Sequence, residues 1–328
     1  MFRTELILTP SRHKIGINDH IFSIGSCFAQ VIGHKLHTNK FNVYVNPFGV
    51  IFNPASIFRL LHNAINCSIP AKNAYLVNQG IYYNYMFHSD FSATNLEDLK
   101  AQVMQSILSA GEYLKNVKWL FITLGTAYCY EKKDDGQLVT NCHKMPSEFF
   151  NKRMLTVDEI ERRFDQLHYA LQASNPNIRY IFTVSPVRHI KNTLERDSVS
   201  KATLRLACEQ IKNKYPECVE YFPGYEIMMD DLRDYRYYEA NMIHPNETAQ
   251  EYIWQKFSDI YFTEETQVFI KKWQKLQKAL QHKPFHAKSA AHQKFLQQTI
   301  EQLKGLNGTV NVEQEIKLLS KQLSAATS

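Results

Sequence analysis

With 328 residues, 44% hydrophobic and 21% charged, the chain can bury a sizeable core and suits one large globular domain with a smaller extension. Residues 1–5 carry an acid, and Pro10, Arg12 and His13 follow. No signal-peptide core is expected there, no apolar run is long enough to span a membrane, and a cytoplasmic protein is expected. The net charge of +6 resides largely in a Lys-rich tail, whose spaced lysines read as solvated helix faces, so nucleic acid is not expected as a partner. The six cysteines (Cys27, Cys67, Cys129, Cys142, Cys208 and Cys218) form no CxxC pair, which points to reduced thiols and no structural zinc.

Residues 1–19 read as an irregular lead-in. A first strand over 20–24 breaks at Gly25-Ser26-Cys27 into a helix over 28–36, and a second strand over 41–45 runs into the turn Asn46-Pro47-Phe48-Gly49. Pro54 suits the first position of a helix that reaches residue 66. Alternating aromatics over 75–91 predict a hairpin. A long amphipathic helix follows, with Asn95 as its cap. Residues 117–124 are a buried parallel strand by composition. A polar hairpin turns at Lys132 to Gly136, and Thr156 with Glu159 has the capping-box pattern for the next helix. The strand over 180–184 ends at Ser185-Pro186-Val187-Arg188-His189. A helix over 198–214, a short strand over 219–222 and a helix after Asn246 complete the alternation.

Strands alternating with helices predict an α/β protein, with a parallel sheet covered on both faces and its chemistry at the carboxyl ends of the strands. Residues 1–263 form this domain. Residues 264–328 form a helical, Lys-rich extension, either packed on the core or serving as a homo-oligomerisation arm.

Acyl transfer needs a nucleophile, a base, a group that orients the base, and oxyanion donors. Ser26 or Cys27 can be the nucleophile, because a helix N-terminus favours developing negative charge. The plainer reading is that Gly-Ser merely caps the helix. His244, at a loop-to-helix junction, can be the base, with Asn241 three residues earlier fixing its tautomer; an ordinary helix-start turn is the alternative. His88, His143, His189 and His244 match no metal motif, so neither metal nor cofactor is expected. Arg188 and Lys144 suit an anionic substrate group or surface ion pairs. The tyrosines over 235–238 suit a sugar platform or packing beneath the last core helix.

The run Gly25-Ser26-Cys27-Phe28-Ala29 resembles the signature of the GSCFA family, a branch of the SGNH (GDSL-like) hydrolases. Asn53-Pro54, Leu124-Gly125-Thr126, Asn141-Cys142-His143-Lys144, Ser185 to His189, Ser200-Lys201-Ala202, Phe222 to Glu226 and Met242 to Pro245 agree with it in order. The resemblance implies a three-layer α/β/α sandwich with about five parallel strands. It also implies hydrolysis or transfer of an acyl group from a small-molecule or glycan ester.

Matching the glycines of the superfamily's Gly-Asp-Ser places Ser26 on the Asp and Cys27 on the nucleophile; Ser26 is the alternative if the turn is tighter. A thiol at a helix N-terminus is expected to have a lowered pKa. The superfamily's Asp-x-x-His has Asn241 before His244. An amide there handicaps a serine nucleophile more than a cysteine, so a weakened or inactive binding protein is the alternative to an esterase or acyltransferase. Gly49 fits one oxyanion position. The Asn of the third motif falls on Ala127, leaving Asn141, His143 or Asn53 as substitute donors; the simpler reading of Asn53 is that it caps the helix begun by Pro54. Arg188 and His189 complete the substrate-binding candidates.

Overall fold

The computed structural model describes residues 4–327; Met1 to Arg3, which open the expected lead-in, and Ser328, which ends the expected extension, lie outside the described residues. In chain order the elements begin with β1 (His20–Gly25), α1 (Cys27–Thr38), β2 (Asn42–Val45), α2 (Pro54–Ile65), β3 (Tyr75–Asn78), β4 (Ile81–Asn84), β5 (Ser92–Ala93) and α3 (Leu96–Asn116). Next come β6 (Trp119–Leu124), β7 (Tyr128–Lys132), β8 (Leu138–Val139), β9 (Phe150–Met154), α4 (Val157–Ser174), β10 (Arg179–Val184), α5 (Leu194–Lys214) and β11 (Val219–Tyr221). The chain ends with α6 (Gly224–Glu226), α7 (Glu247–Tyr261), α8 (Glu264–Gln281), α9 (Ala290–Lys304) and α10 (Glu313–Thr327).

The central parallel sheet has the order β11-β10-β6-β1-β2. Every side chain of β6 is buried, as expected for a strand covered on both faces and hydrogen-bonded on both edges. Leu120, Ile122 and Leu124 alternate with Phe121 and Thr123 toward the two helical layers. The chain moves from β1 outward to β2, then crosses back to β6 and continues the other way. The direction of winding therefore reverses between β1 and β6, and open α/β sheets form their binding crevice outside the carboxyl ends of the strands at such a point.

Local sequence sets the helix starts that frame this edge. Asn53 caps α2 by accepting the Ser56 N–H at 2.8 Å, with Pro54 as first residue. Asn95 caps α3 through the Asp98 N–H, and Thr156 caps α4 through the Glu159 N–H. α5 begins at Leu194, four residues before the expected start, because Thr193 caps it through the Arg196 N–H. Two small antiparallel sheets, β3-β4-β5 and β8-β7-β9, are inserted between the core elements; the first contains the expected aromatic hairpin and the second the polar one. All six cysteines are free thiols.

Two compact units divide the chain. One comprises residues 4–9, His20–Lys35 and Val43–Phe257, and holds the sheet. The other comprises Pro10–Asp19, Leu36–Asn42 and the segment from Ser258 onward. In the second unit Ile15 bridges Phe262, and Trp273 Nε1 donates to the Thr38 carbonyl at 2.7 Å, so short early segments share a core with the C-terminal helices. Among the described residues no helix is long and apolar enough to cross a membrane.

The end of β1 depends on one glycine. Gly25 has φ +141°, and a Cβ built on it would lie 2.1 Å from the Thr123 carbonyl oxygen of β6. A side chain would force β1 and β6 apart where Ser26 N–H donates to that same oxygen at 3.1 Å. Gly25→Ala should lower unfolding free energy by about 3 kcal/mol or more, read from urea denaturation; a loss below about 1 kcal/mol would contradict this constraint.

Candidate active site at the carboxyl edge of the sheet

Ser26 and Cys27, adjacent in sequence, take different roles. Ser26 is buried, and its Oγ accepts the Phe28 N–H at 3.3 Å as the cap of α1. Cys27 is the first residue of α1 and half-buried. Its thiol is pushed above its ordinary value by burial, with its own backbone N–H pulling the other way. The expectation of a lowered thiol is corrected here: desolvation of the thiolate outweighs the helix end.

The loop after β2 crosses this edge. Asn46 Oδ1 accepts the Gly25 N–H at 2.8 Å, Ile51 N–H donates to the Gly25 carbonyl at 2.9 Å, and the Phe52 carbonyl accepts from both Gly125 and Thr126. The ends of β1 and β6 are thereby joined across the crevice. Gly49 lies in this loop at φ +80°, with the His88 Cβ only 2.2 Å from where its own Cβ would stand. Its N–H already donates to the Asn46 carbonyl at 2.9 Å.

His244 follows a tight Asx turn. Asn241 Oδ1 accepts the N–H groups of Ile243 and His244 at 2.9 and 3.0 Å, which settles which end of the side-chain amide is oxygen. Asn241 Nδ2 therefore faces His244 Nδ1 at 3.1 Å. An amide N–H can only donate, so Nδ1 is the acceptor and the neutral ring carries its proton on Nε2. That is the reverse of the tautomer a carboxylate partner imposes.

Arg188 holds this turn to the end of β10: its backbone N–H donates to the Ile243 carbonyl and its Nη1 to the Met242 carbonyl. The guanidinium lies over the Tyr238 and Tyr235 rings, 4.4 and 5.1 Å from their centroids. The tyrosines that suited a sugar platform or packing thus act as a cation–π seat for Arg188. β10 is two strands from β1, about 10 Å at ordinary strand spacing, and among the described residues no hydrogen bond joins Ser26 or Cys27 to His244.

Lys201 lies at the centre of the edge. Only 2% exposed, its ammonium donates to the carbonyls of Gly125, Ser185 and Val187 at 2.8, 2.8 and 3.0 Å. Burial pulls it down to about 8, opposed by Asp197 one turn earlier on α5, and three carbonyl acceptors match the three donors of the charged form. Ser200 beside it donates to or accepts from Thr126 Oγ1 at 3.1 Å and accepts the Ala127 N–H at 2.7 Å. Asp197 is 6% exposed; Oδ2 accepts the His189 N–H at 3.1 Å, and Oδ1 has no partner. Asp197, Lys201, Arg188, Tyr225 and Tyr235 line a cavity of about 210 Å³.

The remaining candidates separate. Asn53 acts as a helix cap and is buried. Asn141 and His143 lie in the connection between β8 and β9: Asn141 Nδ2 donates to Ser89 Oγ, and the buried His143 ring stacks on Tyr83 with Nε2 2.9 Å from the Asn84 carbonyl. Burial holds His143 below the ordinary imidazole value. The half-buried His189 is likewise lowered by burial, against the raising effect of Asp197, and lies beside Phe52. In the sequence reading Lys201 appeared only within the motif Ser200-Lys201-Ala202, with no role assigned, and Asp197 did not appear. Their signal was a buried-face period along α5, in which Asp197, Lys201, Leu204, Cys208 and Ile211 share one side.

This arrangement places the chain among open α/β proteins whose parallel sheet reverses its winding at a switch point, here between β1 and β6. The chain belongs to the GSCFA family, whose model matches residues 20–257, and the model of the GSCFA domain protein C-terminal domain matches residues 273–325. No curated protein matches it.

Two measurements check this geometry. Alkylation of Cys27 by iodoacetamide, followed by peptide mass spectrometry, should keep accelerating as pH rises past 9, because its thiolate forms above the ordinary range; a rate plateau below pH 7 would reveal a thiolate–imidazolium pair instead. Lys201→Met should cost roughly 3 kcal/mol of stability in urea unfolding, since three carbonyls lose their donor and Asp197 loses its nearby charge.

Proposed function

We propose that this protein is an SGNH-type acyl-ester hydrolase or acyltransferase, acting on a small-molecule or glycan ester with Cys27 as nucleophile and His244 as the group that moves the proton. The observation that carries this reading is the turn at Gly25, which leaves Ser26 buried as a cap and sets Cys27 at the first position of a helix that starts at the carboxyl end of β1, beside the switch point of the sheet. In the first step the Cys27 sulfur bonds to the acyl carbon, the thiol proton passes to His244 Nε2, and the ester C–O bond breaks. The departing alcohol takes that proton, leaving a thioester on Cys27. Attack by water, or by an acceptor alcohol, then releases the acyl group and restores the thiol.

That step needs an unprotonated Nε2, whereas the Asn241 amide favours the proton there. This single contact favours a second reading, a binding protein on the same fold with little or no turnover. Asn241→Asp discriminates between them. The carboxylate would keep accepting the N–H groups of Ile243 and His244 through one oxygen, while the other accepts a proton on Nδ1 and frees Nε2. Hydrolysis of short-chain p-nitrophenyl esters should rise at least tenfold in Asn241→Asp, given that an amide for carboxylate costs about 10⁴ in a serine triad. Cys27→Ala should abolish it while Ser26→Ala retains it in proportion to the folded fraction. Activity untouched by Cys27→Ala would overturn the nucleophile assignment, and inertness of both wild type and Asn241→Asp would leave the binding reading.

A further inference from the structure

We propose that Arg59 of α2 and Arg163 of α4 form a binding site for a tetrahedral oxyanion, either inorganic phosphate or the phosphate monoester group of a small ligand. The two arginines line a cavity of about 130 Å³ between these helices, together with His62, Gln166, Phe58 and Leu167. No carboxylate is among its lining residues. Arg59 Nη1 donates to the Leu138 carbonyl at 2.7 Å and Nη2 to Thr140 Oγ1 at 3.4 Å, both neutral acceptors. Its Nε is buried without an acceptor, and so is the Nε of Arg163.

The surrounding charges do not balance this pair. Arg163 reaches Glu159 at 3.2 Å, but Arg153 already grips both oxygens of Glu159 at 2.7 Å each and Glu131 as well. Two guanidiniums, Arg153 and Arg163, thus share Glu131 and Glu159, and Arg59, the third of the cluster, has no ion-pair partner among the described residues. Burial, and then the charge of Arg163, pull Arg59 from its ordinary value down to about 10, so the two groups repel each other across the cleft. Like charges placed together in a part-buried cleft are costly unless an anion joins them.

The lining identifies that anion by class. Guanidinium forks present parallel N–H donors that match phosphate oxygens, and a tetrahedral anion can meet two forks from different directions where a flat carboxylate serves one. Gln166 and His62 add polar side chains at the same cleft. The volume admits a phosphate group. Arg59 also holds Leu138 and Thr140, directly before Asn141, so an anion drawn onto its guanidinium would bear on the loop that carries Asn141 and His143.

Thermal unfolding and isothermal titration calorimetry of the full chain test the site, with inorganic phosphate, glycerol phosphate and acetate compared at matched ionic strength. Phosphate or glycerol phosphate should raise Tm by about 2 °C at tenfold above its Kd, and acetate should not. Tighter binding of glycerol phosphate assigns the site to a monoester, and tighter binding of phosphate assigns it to the free ion. Arg163→Gln removes one of the repelling charges while Arg153 still holds Glu159. It should unfold no earlier than wild type without anion and bind phosphate at least tenfold more weakly. Arg59→Gln should weaken binding similarly. Absence of a shift at tens of millimolar phosphate and glycerol phosphate, an equal response to acetate, or undiminished affinity in both variants would overturn the proposal.

Discussion

The carboxyl edge of the sheet depends on the Lys201 ammonium and its three carbonyl partners. Strand ends at such an edge present carbonyl oxygens with no further strand residues to bind them, and the segments leaving Gly125 and Ser185 head in different directions. A single cation with three donors satisfies Gly125, Ser185 and Val187 together. The desolvation of that charge outweighs the opposing charge of Asp197, while its three donors are fully hydrogen-bonded. A neutral side chain of the same length would fill the space and leave all three oxygens unpaired. Because Gly125 also donates to the Phe52 carbonyl, the lysine is linked through one residue to the loop that crosses the end of β1.

Around that fixed centre, the electrostatics of the crevice favour neutral forms. Burial raises the Cys27 thiol and lowers His189, while His143, lowered likewise, lies apart in the inserted region. At His244 the Asn241 amide donor facing Nδ1 opposes the tautomer that a carboxylate partner would impose. One substitution in a turn therefore separates two functional readings without altering the backbone that holds the histidine, since the turn is closed by the Asn241 oxygen and by Arg188.

The charged cluster between α2 and α4 is of a different kind. At the sheet edge a buried cation is matched to its acceptors. At Arg59 and Arg163 a surplus cation is held by neutral groups and by a carboxylate already shared. The contrast makes the first a structural element and the second a site where an anion would complete the charge balance.

The sequence by itself determined the alternation of strands and helices, the caps at Asn53, Asn95 and Thr156, the hairpins and the break at Gly25, because each rests on local periodicity or on a side chain bonding its own helix. It also carried the family, through several short motifs in one order. Only the tertiary structure decided what those motif residues touch. The fall of Cys27 into a half-buried position, the donor facing His244, and the convergence of Lys201 on carbonyls more than a dozen residues away all follow from which elements pack together. Burial set the thiol against the helix end, and no spacing rule reports burial of a single side chain. The early segments that join the C-terminal helices in one compact unit were hidden for the same reason: Ile15 and Thr38 meet their partners across more than two hundred residues, and such pairings leave no local signature.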